Sequence, residues 1–274
     1  MKSTNLLFDS WSTQVLFQRA PPGYPPHISQ GDGAPDVTGM RLNTLLGAIK
    51  SAGQAGSTWT PNQPWEISFT APPITPAQLH GIDVYVSLTR YQGAGFAYSS
   101  DEIKAIRSFV EGGGNVLLMT NHGAPPGAPN DDWTVNDGAL AGLFGVTLEN
   151  YFVKGSSLVI DVLDPLKGNA PTIAAHDSCI IVPQKGVSVT TIAEFPAGWQ
   201  AWSQATGYID PPTKYFALLA PYSAKGAGQL LLIGNSGWLG DEGSPKPAQG
   251  LAPHQSNLQF VLNCIGYLAG LTNG

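Results

Sequence analysis

Chemistry at a protein surface needs a base, a carboxylate or a nucleophile held where a substrate can reach it. The sequence holds five histidines, two cysteines and 19 acidic residues. His122 stands in Thr120-Asn121-His122-Gly123, directly after an apolar run, where an imidazole could act as general base or metal ligand. Asp9 closes the apolar run Leu6-Leu7-Phe8, and Asp132 lies in the loop beyond His122. Either carboxylate could serve His122 in a hydrolase or lyase, and either could equally cap a turn. Asp131-Asp132 and Asp241-Glu242 offer oxygen ligands to a hard cation, or are solvated loop acids. His27, His80, His176 and His254 show no H-E-x-x-H spacing. Gly234-Asn235-Ser236-Gly237 approaches a nucleophile elbow, but its closing glycine comes one residue early, and Asp241 and His254 follow Ser236 too closely. Cys179 and Cys264 form no Cys-x-x-Cys pair, which argues against structural zinc. Cys264 reads as a packing residue and Cys179 as part of a strand. No dinucleotide-binding or Walker glycine loop is present, so neither metal nor cofactor is expected.

The elements that would position these residues are legible. Asn5 to Asp9, Trp65 to Phe69, Asp83 to Thr89, Asn115 to Thr120 and Gln229 to Gly234 read as strands. A helix is expected from about Asp36 to Ala52, on the period of Met40, Leu42, Leu45, Leu46 and Ile49. Ser99-Ser100-Asp101-Glu102 is a capping box opening a helix that runs to Glu111 and stops at Gly112-Gly113-Gly114. Asn136 to Phe144 reads as a short helix and Gln255 to Leu268 as a long one. Several short strands are expected between: Leu158–Val162, Cys179–Val182, Val189–Phe195, Trp199–Trp202 and Tyr215–Ala220. Continuous apolar strands are buried on both faces, which predicts an α/β fold: a flavodoxin-like or Rossmann-like three-layer sandwich with a mainly parallel sheet and a β-rich insertion. The expected division is a core over 1–150, the insertion over 151–225, and a last core strand and closing helix over 226–274.

Composition bounds the rest. The 274 residues include 33 glycines and 23 prolines, and 12% are charged, which excludes a coiled coil or helical bundle. A formal charge of −6 with no basic stripe argues against nucleic acid. No apolar run reaches the length of a membrane span or a signal peptide, so a cytoplasmic location away from the membrane is expected.

Tyr98 to Ile103, followed by Phe109-Val110-Glu111-Gly112-Gly113-Gly114-Asn115-Val116-Leu117-Leu118, resembles a segment of class I glutamine amidotransferase-like domains. The subset includes trehalose-utilisation-type proteins and gliding and ABC-transporter auxiliary domains. Phe8-Asp9 is similar to the opening strand of that group, Gly228 to Leu239 to its last strand and turn, and Asn257 to Leu268 to its closing helix. Residues 1–150 and about the last 50 residues carry the resemblance. Such enzymes place a nucleophilic cysteine in the turn after the central strand. The matching turn here, Thr120-Asn121-His122-Gly123, has none, and Asn235 stands where the group has Asp. The resemblance therefore implies a catalytically degenerate domain.

In an open parallel sheet the ligand sits beyond the carboxyl ends of the strands. Asp9, Trp11, Arg90, Tyr91, Asn121, His122, Asn235, Ser236 and Trp238 fall there. The expected occupant is a small polar ligand such as a carbohydrate, with hydroxyls for Asp and Asn and a face for the aromatics, or else a protein partner. The alternatives are a hydrolase or lyase built on His122 with Asp9 or Asp132, and a subunit of a homo-oligomer, marked by low charge and exposed Trp and Pro.

Overall fold

The computed structural model describes residues 2–12, 42–54, 58–71, 73–93, 95–155, 159–223, 227–239 and 255–273. The chain opens with β1 (Thr4–Phe8), then α1 (Asn43–Ala52), β2 (Trp59–Thr60), β3 (Trp65–Phe69), α2 (Pro76–Leu79), β4 (Val84–Leu88), α3 (Ser100–Glu111) and β5 (Asn115–Met119). After α4 (Gly138–Gly142) come eight strands in succession: β6 (Val146–Lys154), β7 (Val159–Asp161), β8 (Thr172–Ala174), β9 (Asp177–Pro183), β10 (Thr190–Glu194), β11 (Gln200–Ser203), β12 (Gly207–Ile209) and β13 (Tyr215–Pro221). Then follow β14 (Gln229–Ile233), a 3-10 turn at Gly237–Leu239, α5 (Gln255–Leu268) and β15 (Thr272–Asn273).

The central sheet has seven strands in the order β10-β13-β14-β5-β4-β1-β3. β3, β1, β4, β5 and β14 run parallel, while β13 and β10 run antiparallel to their neighbours. Alternate side chains enter two apolar clusters on opposite faces. Leu6, Phe8, Val86, Leu88, Leu117 and Met119 join α1 and α5. Leu7, Tyr85, Val116, Leu118, Leu230 and Leu232 join α2 and α3. This accounts for the unbroken apolar runs in the sequence.

The expected three-layer flavodoxin-like or Rossmann-like sandwich is corrected here. Among the described residues, strand makes up 34% and helices are few. Of the five helices described, α2 and α4 have only four and five residues. The central sheet is mixed. The other sheets, β12-β11-β6-β9, β15-β2 and β7-β8, pair antiparallel throughout. The physical reason lies between Val146 and Pro221. That stretch runs strand to strand through Gly- and Pro-bearing turns without the 3.6 period of a covering helix. Two of its strands, β10 and β13, add to the central sheet itself.

The capping box forms as expected: Ser99 Oγ accepts from the Glu102 amide at 3.2 Å, and the Ser99 amide donates back to Glu102 Oε2 at 2.9 Å. The helix expected from Asp36 is described only from Asn43, and 36–41 lie outside the described residues. The helix expected over 136–144 is confined to α4. Among the described residues, no helix is long and apolar enough to cross a membrane.

Candidate functional site

β1, β4, β5 and β14 end on one edge, and the chain leaving each strand builds the candidate site. After β1 the chain turns at once. The Trp11 amide donates to Asp9 Oδ1 at 3.0 Å, and Ser12 bridges Arg90 at the end of β4. The Tyr91 amide donates to the Trp11 carbonyl at 3.2 Å, which sets Trp11 and Tyr91 side by side.

Asp9 and Arg90 are both fully buried and hold one another. Arg90 Nε donates to Asp9 Oδ2 at 2.7 Å, and its Nη2 donates to Glu102 Oε1 at 2.8 Å. The Tyr85 and Tyr98 hydroxyls donate to the same Asp9 oxygen at 2.8 and 3.2 Å. Burial, then the Asp9 charge, raises both phenols well above their ordinary range, so they remain donors. The Tyr98 ring lies 3.5 Å from the Arg90 guanidinium carbon. Burial pushes the Glu102 carboxyl upward, but hydrogen bonds from Arg90 and from the Ser99 and Ile74 amides outweigh it and hold it below its usual range. The capping glutamate of α3 is thus also a counter-ion of the buried arginine. This cluster is closed on itself.

Asp137 forms a second buried anchor. Its oxygens accept from the Arg90 amide at 3.0 Å and the Thr89 hydroxyl at 2.9 Å, and burial pushes its carboxyl up to about 7. Thr89 has φ of 54°, a left-handed conformation that a β-branched residue rarely adopts. The two bonds to Asp137 hold that turn and tie the end of β4 to the loop that follows β5.

Along the outside of these anchors runs a row of half-buried rings. Trp11 packs on Phe96 (centroids 5.6 Å apart), Phe96 on Tyr91 (5.2 Å) and Tyr91 on Trp133 (5.9 Å). The Trp133 amide donates to the His122 carbonyl at 3.1 Å, and the His122 ring packs edge-on against Phe152 of β6 at 5.2 Å. Asp131 fixes Trp133 by accepting from its indole Nε1 at 2.7 Å. Asp132 Oδ1 accepts from the Thr134 amide and hydroxyl at 2.9 and 2.7 Å, so its side chain shapes the loop.

The polar end of the row is built on β5 and β14. Asn121 Oδ1 accepts from the His122 amide at 2.9 Å and from Asn235 Nδ2 at 3.3 Å. Its own Nδ2 is thereby turned away from these donors, on a half-exposed side chain. His122 Nδ1 lies 2.8 Å from the Gly123 carbonyl, which makes Nδ1 the donor there and, in the neutral ring, Nε2 the acceptor. Asn235 also donates to Asp177, whose other oxygen lies 3.0 Å from His176 Nε2. Asn235 Oδ1 accepts from the Gly237 amide at 3.0 Å, which shapes the 3-10 turn.

The candidates therefore separate. Trp11, Tyr91, Asn121 and His122 line the edge with half-buried side chains. Asp9 and Arg90 lie beneath it, in the closed ionic cluster. Asn235 is buried and braces Asn121, Ser236 is buried beside it, and Trp238 is buried against Phe260 of α5 at 6.4 Å. Asp241, Glu242, His27 and His254 lie outside the described residues. Sequence reasoning did not single out Phe96, Phe152, Asp177 or His176 for this edge. His176 precedes β9 and Asp177 opens it; the pairing of β9 with β6 and the bond from the Cys179 amide to the Gly234 carbonyl at the end of β14 bring them there. Phe152 carried no signal beyond its type. Among the described residues, no three His, Cys, Asp or Glu side chains are grouped to hold a metal ion.

No family model matches the chain, and no curated protein matches it in sequence. Solved structures share the fold. The mmIFT52 N-terminal domain superposes with a TM-score of 0.62 at 14% identity, over 96% of this chain and 97% of that one. Cytoplasmic protein STM3548 from Salmonella typhimurium gives 0.50 at 11%, over 82% and 86%. A ThuA-like protein from Bacteroides uniformis gives 0.50 at 9%, over 97% and 90%. The likeness is one of fold.

Proposed function

We propose that this protein is a catalytically degenerate amidotransferase-like domain that binds a neutral, polyhydroxylated small ligand along its carboxyl edge. The observation that carries this reading is the ring row from Trp11 to Phe152, which ends on the amide of Asn121 and the imidazole of His122. Half-buried rings offer flat apolar faces, and the Asn121 N–H and His122 Nε2 offer one donor and one acceptor. Sugars present apolar C–H faces and hydroxyl edges of that kind. Catalysis has weak support. The turn after β5 lacks a thiol. Both cysteines are fully buried, and burial raises their pKa values, the opposite of an activated nucleophile. Asp9 is engaged by Arg90 and Asp132 by Thr134, so neither is oriented on His122.

The test is titration with neutral disaccharides such as maltose, cellobiose and lactose, followed by tryptophan fluorescence. At least one should bind, and Trp133→Ala and Asn121→Ala should each weaken it about tenfold or more. Binding unaffected by either substitution, or no binding across the panel, overturns the reading.

A further inference from the structure

A second concavity lies at the other end of the sheet. Asn115 opens β5, and its Nδ2 donates to the Leu268 carbonyl at 2.7 Å, so the end of α5 sits at the amino edge of the sheet, away from Asn121 and Asn235. Between the end of α5, the paired β2 and β15, and the loop 162–171 is a cleft of about 610 Å³. That is within the range of small-molecule sites, roughly 300–1,000 Å³. Trp59, Leu166 and Leu271 are buried at its base, and Tyr267 is half-buried in its wall.

The polar groups in the cleft have a defined sense. Asn263 is 8% exposed; its Oδ1 accepts from Gln259 at 2.9 Å and its Nδ2 donates to the Leu166 carbonyl at 3.3 Å. A carbonyl can only accept, so this bond fixes the orientation of the amide. Asn273 Oδ1 is engaged by the Thr58 hydroxyl. Both asparagines line the cleft with their amide oxygens already engaged, so what each has left to offer a ligand is N–H, and among the described residues no charged side chain lines it. Of the exposed large apolar residues described, Val135, Val159 and Tyr208 lie elsewhere, and Leu163, though in the loop 162–171, is not among the residues that line the cleft. A protein interface is built around a contiguous apolar core, and these exposed residues do not supply one at the cleft.

We propose that this cleft binds a small uncharged cyclic molecule, with its flat face against Tyr267 and Leu271 and hydrogen-bond acceptors on its edge for Asn263 and Asn273. The site is independent of the ligand at the carboxyl edge. Caffeine is a suitable probe: it is neutral, flat and rich in acceptors, and it has no N–H donor. Titrated into the isotope-labelled protein, it should shift the backbone amides of residues 166–169 and 267–273. Tyr267→Ala removes the wall, and Thr272→Trp plugs the mouth from an exposed position that leaves the core intact. Each should weaken the response about tenfold or more, while Asn121→Ala leaves it unchanged. Absence of shifts in these segments, or shifts that survive Thr272→Trp, would overturn the proposal, and Thr272→Trp decides the matter even if Tyr267→Ala folds poorly.

Discussion

Arg90 carries more of the architecture than any ligand-facing role would require. It neutralises Asp9 and Glu102, two carboxylates from different elements, at full burial. Removing one partner from such a cluster strands the others in a medium of low dielectric constant, a loss of about 3–5 kcal/mol. Arg90→Ala should therefore lower stability by about that amount in urea denaturation, whereas Asp132→Ala, on a half-buried loop, should cost about 1 kcal/mol. Asp137 makes a separate prediction. Its folded-state pKa, about 7, lies above the ordinary aspartate value of about 3.9. Over that interval the folded state binds more protons than the unfolded state, so the contribution of Asp137 to stability falls as pH rises from about 4 to about 7. Asp137→Asn can keep the acceptor for the Arg90 amide while removing the titration. Urea midpoints measured across that range should decline less with pH in the variant than in the native protein; parallel pH profiles would refute the assignment.

At the scale of elements, the carboxyl edge is held by close backbone approaches. Gly123 follows His122, and a Cβ built there would stand 2.4 Å from the Tyr151 amide nitrogen of β6 and 2.6 Å from the Asn150 carbonyl carbon. Backbone cannot yield as a side-chain tip can, so Gly123→Ala must separate the β5 turn from β6, carrying His122 away from Phe152. Loss of several kcal/mol, with altered amide shifts through 121–124 and 150–153, is expected, about the scale of core overpacking. Unchanged shifts would contradict it. Much of this level was legible beforehand. The apolar runs of β1, β4, β5 and β14 and the capping box of α3 were local patterns, and strand ends followed from them. The four-stranded sheet was less legible because β6 shows no clean alternation, with its burial mixed along Val146–Lys154. The mixed central sheet was hidden for a related reason: an apolar strand such as β13 reads the same whichever way it runs. The site was legible as a place and in its aromatic and amide types. That Asp9 and Arg90 would be spent on each other depended on Glu102 and two tyrosines that local spacing could not connect to them.

For the whole molecule, the two ends of the sheet have different work in this account. The carboxyl edge is a binding surface of rings and amides over a closed ionic base, and the amino edge holds a neutral cleft. Cys179 and Cys264, buried on opposite faces of the sheet, should resist iodoacetamide in the native protein and react after unfolding, as mass spectrometry would show. The glycine- and proline-rich segments Pro21–Pro35 and 240–253 lie outside the described residues; the loop 123–136 is described and contributes Trp133 to the row. The measurement closest to the central claim is a backbone amide titration with the neutral disaccharide that binds best, with the sugar recovered and analysed afterwards. Shifts should gather at residues 91–93, 95–96, 121–123, 133 and 150–152, with the disaccharide returned intact. Cleaved sugar whose release is abolished by His122→Ala, or shifts that avoid this edge altogether, would contradict it.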